Sequence, residues 1–161
     1  MLKLIKCEFL KLKRKKFIPL IILAAFLFPI PLTYLMTTPS MMERYTDRAD
    51  AFDGLFNMVL GYGIQFLLPC IIGVIAAILF FMERDNDTFK NLRTIPVTST
   101  QMVLAKIIVL FIFGIVFCVA STIATILCGF GTLEVYGIGY KLFLAVETGI
   151  FITAGTLPLI V

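Results

Sequence analysis

The stretch Ile107–Cys128, IIVLFIFGIVFCVASTIATILC, carries no charged side chain and exceeds the roughly 20 apolar residues that a helix needs to cross a hydrocarbon core of about 30 Å. The neighbouring stretches repeat the pattern. Uncharged runs also extend from Phe17 to Met42 and from Gly54 to Met82, and from Leu142 to Val161 the only charge is Glu147. The composition agrees, with 60% hydrophobic and 15% charged residues where an ordinary soluble domain carries about 25% charged. A soluble domain and a disordered chain are both excluded. The expected fold is all-α, a polytopic membrane protein with spans at about 17–36, 58–82, 107–128 and 142–161, in one transmembrane domain over 17–161 that follows a separate segment over 1–16.

Histidine is absent, which excludes a Ser-His-Asp triad, a zinc site of the HExxH type and any histidine proton relay within this chain. Cys7, Cys70, Cys118 and Cys128 show no CxxC spacing, and the last three lie in apolar runs, so they read as small hydrophobes. No resident metal or cofactor is expected. The net charge of +4 points to lipid rather than to nucleic acid, because seven of the 14 Lys and Arg fall within residues 1–16, just before an apolar run. Four more (Arg84, Lys90, Arg93 and Lys106) lie between the second and third runs. Arg44 and Arg48 precede the second run, and Lys141 precedes the fourth. The positive-inside rule therefore predicts a cytoplasmic N-terminus and a cytoplasmic 83–106 connection in a multi-pass protein of the cell membrane, with 43–53 and 129–141 outside.

Within residues 1–16, Leu2, Ile5, Phe9 and Leu12 recur at helical spacing among lysines, which predicts an amphipathic helix lying in the membrane interface. In the first span, Pro19, Pro29 and Pro31 remove helical hydrogen bonds and predict a kink in its outer half. The 83–106 connection reads as a short helix over Phe89 to Arg93, a break at Ile95-Pro96, and a T-x-x-Q capping box (Thr98 with Gln101) opening the third span. Phe89, Leu92 and Ile95 are apolar at three-residue spacing, a pattern that suits docking into a groove on a soluble partner as well as an ordinary solvated loop.

These residues carry a resemblance. The order of basic amphipathic N-terminus, span, acidic connection, span ending in Glu83, then Asp87-Thr88-Phe89-Lys90-Asn91-Leu92 through Ile95-Pro96 to Ala105-Lys106, resembles the permease subunits of ABC-2 type ATP-binding cassette exporters. It is most similar to the branch linked to lantibiotic immunity and bacitracin resistance. The resemblance implies that 1–16 is the elbow helix and that Phe89 to Arg93 is the coupling helix, with Phe89, Lys90, Leu92 and Arg93 touching a separate cytoplasmic ATPase subunit. It also implies a second permease subunit and a peptide or other amphiphile as the exported substrate. Such permeases usually have six spans, so a chain ending in its fourth is expected to be a truncated form or a fragment.

No nucleotide-binding motif occurs, so the chain itself is not expected to be an enzyme, and ATP hydrolysis falls to the partner. Glu147 is the one charge interrupting an apolar run and is a candidate for the substrate path, against an interfacial or helix-pairing carboxylate. The competing function is a small non-transporting membrane protein that binds or regulates a partner through its basic N-terminus and inner connection.

Overall fold

A computed structural model describes residues 2–13, 17–85 and 99–160, and every regular element among them is helical. They are α1 (Leu2–Lys13), α2 (Phe17–Leu27), α3 (Pro29–Met36), α4 (Pro39–Met42), α5 (Arg48–Met58), a π-helical stretch (Val59–Ile64), α6 (Gln65–Asp85), α7 (Ser99–Gly129) and α8 (Ile138–Ile160). Among the described residues, three stretches are long and apolar enough to cross a membrane: Arg48–Phe81, Thr100–Gly129 and Ile138–Pro158. The expected first span is divided. Its described apolar part is the shorter Ile21–Met36, broken at Phe28 immediately before Pro29, where Pro29 and Pro31 supply no backbone N–H. The Phe28 N–H still reaches the Ala24 carbonyl at 3.0 Å, so the break is a bend rather than a loop.

The central element is α7, which packs against α1, α2, α3, α6 and α8. Its 31 residues extend about 46 Å at about 1.5 Å each, so its ends project beyond a hydrocarbon core of about 30 Å. Ala120, Ser121, Thr122, Ala124 and Thr125 are buried, as the small and weakly polar side chains of this stretch suggest. The threonine hydroxyls at this depth are satisfied within their own helix, where no water competes, whereas the buried Ser121 Oγ has no hydrogen-bond partner among the described residues. Thr122 and Thr125 each donate to the carbonyl four residues back at 2.8 Å, and Thr148, Thr153 and Thr156 do the same in α8 at 2.7, 2.6 and 2.9 Å. At the α7–α8 seam the backbones approach so closely that a Cβ on Gly114 would overlap Thr153 Cγ2. Gly73 and Ala77, a small pair four residues apart on α6, meet nothing comparable among the described residues: a Cβ on Gly73 would meet no atom within 4 Å, and Ala77 is exposed.

The N-terminal segment is helical and docks on α7. Leu12 is buried, and the Phe9 and Phe113 rings stack with centroids 5.4 Å apart. Part of its apolar side therefore meets protein.

The stretch expected as the acidic connection, 43–53, holds the first half of α5, which runs through the π-helical stretch into α6. Asp50 and Asp53 mask this in the sequence, yet Ala51, Phe52, Leu55, Phe56 and Val59 recur at helical spacing and all are buried. The expected short helix over Phe89 to Arg93 and the Ile95-Pro96 break lie outside the described residues, as does Thr98, while α7 begins at Ser99.

Candidate functional site

Two lysines that the sequence presents only as topology charges are buried at opposite ends of the bundle. Lys141 lies in the first turn of α8 and is 4% exposed. A cation there meets the positive end of the helix dipole and loses its water, so it needs compensation from outside its own helix. Asp53 of α5 provides it: the ammonium is 2.6 Å from Asp53 Oδ1 and donates to the Tyr136 carbonyl at 3.1 Å. The rings of Tyr136 and Phe52 have centroids 4.1 and 4.2 Å from Lys141 Nζ, with Phe56 at 5.7 Å, so three aromatic faces stand round one charge. Phe52 and Phe56 are one turn apart on α5 with Asp53 between them, which is why one short helical segment can offer both rings and the carboxylate. The Tyr136 hydroxyl donates to the second Asp53 oxygen. That hydrogen bond favours the neutral phenol and holds it above its ordinary pKa, with desolvation and the carboxylate charge acting in the same direction.

Lys106, 3% exposed near the start of α7, joins the other end of the bundle to α6. Its ammonium donates to the Leu79 carbonyl at 3.5 Å and stands 4.4 Å over the Phe80 ring. Both lysines thus fasten one long helix to the α5–α6 unit through a cation seated on an aromatic face.

An apolar pocket of about 300 Å³ lies beside the π-helical stretch. Phe28 and Leu32 form one wall, and Met58, Tyr62, Gly63, Phe66 and Leu67 form the other. It opens where two irregularities face each other, the bend at Phe28 and the π-helical stretch. Only a glycine fits at 63, since a Cβ would overlap the Phe28 ring. The lining offers hydrocarbon and aromatic contact, the chemistry of an aliphatic chain or the apolar part of an amphiphile.

Of the candidates named from the sequence, Glu147 is exposed on α8 and makes no ion pair among the described residues. It is not brought together with Lys141 or with the pocket. Phe89, Lys90, Leu92 and Arg93 lie outside the described residues. The Lys141 cluster was missed because its members are scattered over more than 80 positions and each alone reads as a flanking charge or an interfacial aromatic. The one available signal was the helical spacing of Phe52 and Phe56 about Asp53.

A family model described as ABC-2 family transporter protein matches residues 4–161 of the chain. No curated protein and no solved structure matches it.

Proposed function

The chain belongs to the ABC-2 family of transporters, and from this premise we propose that it is the membrane-spanning permease subunit of an ATP-binding cassette exporter. The observation that carries the reading is the family match over nearly the whole length, joined to three helices long and apolar enough to span. In this reading α2 and α3 together complete a fourth crossing, the N-terminus is cytoplasmic, and α1 is the elbow helix. Phe89, Lys90, Leu92 and Arg93 contact the ATPase subunit that supplies hydrolysis, and a second permease subunit completes the pathway. The substrate is an antimicrobial peptide or another amphiphile. The apolar pocket beside Tyr62 supports that class, since it would take an aliphatic portion, and Glu147 is a candidate contact for a cationic one.

The test is co-purification: the tagged chain, extracted in mild detergent, is expected to retain an ATP-binding cassette ATPase encoded with it, in a complex whose ATPase activity is absent when the chain is omitted. Recovery of the chain without any ATPase, from membranes in which both are abundant, would favour the non-transporting regulatory role.

Orientation gives an independent prediction. Eleven of the 14 Lys and Arg lie in 1–16 and 83–106, so an impermeant thiol reagent applied to intact cells should label Asp47→Cys and leave Asp87→Cys unlabelled, both made after replacement of the four native cysteines. The opposite pattern reverses the orientation.

A further inference from the structure

The Lys141 cluster has a mechanical setting. Between α5 and α6 the helix passes through Val59–Ile64, where π-helical geometry and two glycines, Gly61 and Gly63, replace regular α-helix, and Pro69 one turn later supplies no N–H. Such a stretch concentrates bending, because π-helical turns are among the places where helices kink. α5 is therefore an arm on a compliant joint. The arm packs on α3 and α7 through its buried apolar face, and among the described contacts its tie to α8 is Lys141, reaching Asp53, Phe52 and Phe56. The joint itself lines the apolar pocket through Tyr62 and Gly63, so any swing of the arm changes the width of that pocket.

We infer that Lys141 and Asp53, with Tyr136, form a gate latch of the transport pathway: the pair holds α5 against α8, and its release lets α5 swing on residues 59–64 and reshape the apolar pocket. The inference rests on the permease reading for its purpose but not for its mechanics. A pair of this build suits a latch. The cation is buried and cannot leave without losing three aromatic faces, while Asp53 is part-exposed, so water is at hand to solvate the carboxylate when the two separate. Lys141 and Asp53 are positioning residues here, acting on the pathway through the arm.

The latch is tested by measuring the α5–α8 distance in the full chain in lipid nanodiscs. Nitroxide labels are placed at Asp50→Cys and Phe143→Cys, exposed positions outside the cluster, after replacement of Cys7, Cys70, Cys118 and Cys128. Without the latch substitutions, one short-distance population should dominate. Lys141→Gln should raise a second, longer-distance population about tenfold, the scale expected from losing an ion pair together with cation–π contacts. Asp53→Asn should do the same, and Asp53→Lys combined with Lys141→Asp should restore part of the short population. Tyr136→Phe, which removes one hydroxyl and leaves the ion pair, gives a smaller shift in the same direction and serves if Lys141→Gln folds poorly. An unchanged distribution in Lys141→Gln and Tyr136→Phe overturns the latch, whatever the outcome of ATPase co-purification. If the latch variants shift the distance while no ATPase is ever retained, the arm is confirmed as mobile and it is the permease reading that falls.

Discussion

Gly114→Ala is expected to lower the thermal stability of the detergent-solubilised chain by about 1–3 kcal/mol, the usual cost of forcing an extra methyl into a packed seam. The added Cβ would overlap Thr153 Cγ2, and Thr153 is poorly placed to yield. Its side chain is β-branched, which leaves few rotamers in a helix, and its hydroxyl donates to the Gly149 carbonyl at 2.6 Å. Turning the methyl away would cost that bond in a site that is 0% exposed. Separation of α7 from α8 is the alternative, and it would loosen the helix pair on which α6 also packs. Thr153→Ser removes the offending methyl while keeping the hydroxyl, so it should be mild alone and should recover most of the stability lost in Gly114→Ala. The check is the unfolding midpoint of the four proteins in one detergent. Additive losses in the double variant would show that the two residues do not share the seam.

The same seam shows how much of the fold the sequence discloses. The apolar runs announce helices because in lipid every backbone polar group must find a partner within its own segment, and that demand is readable from composition alone. The burial of Ala120, Ser121, Thr122, Ala124 and Thr125 follows from the same source, since small and hydroxyl side chains suit close helix contact. Which small residues meet a neighbour is a different matter. Gly73 and Ala77 have the same spacing as Ala120 and Ala124 yet lie open, because spacing fixes a shared face but not what the face is turned toward. The start of the second long helix was hidden for an electrostatic reason. Asp50 and Asp53 stand just before the uncharged run and so suggest a connection, and the partner of Asp53 that ties this part of the helix to the bundle, Lys141, is remote in sequence. Tyr136, Lys106 and Lys141 were likewise legible as residues that frequent membrane boundaries, but their partners come from other helices. Phe28 is a mixed case. Proline at 29 and 31 foretells a bend, whereas the pocket beside it depends on the π-helical stretch facing it, and no period in the sequence marks that stretch apart from its two glycines.

Phe89→Ala is expected to weaken retention of the ATPase subunit about 30-fold or more, the effect of truncating a central apolar anchor worth at least about 2 kcal/mol. In the sequence Asp87-Thr88-Phe89-Lys90-Asn91-Leu92-Arg93, Phe89 and Leu92 stand three apart among polar neighbours. In the proposed coupling role such a segment would bind by inserting its apolar side chains into a groove, while charges at the rim would tune encounter and contribute little to lifetime. Lys90→Ala should therefore change retention by no more than about threefold. Arg93→Glu should show a loss that depends on salt, since an exposed charge acts over only about 8 Å at physiological ionic strength and over less at higher salt. All three positions lie outside the apolar runs, so the abundance of each variant in the membrane fraction should match that of the parent chain, which separates loss of docking from failure to insert. Full retention of the ATPase by a normally inserted Phe89→Ala would remove Phe89 from the contact. If Leu92→Ala also kept the partner, the segment as a whole would be released from the coupling role, and the basic N-terminal segment would become the surface to examine for partner binding.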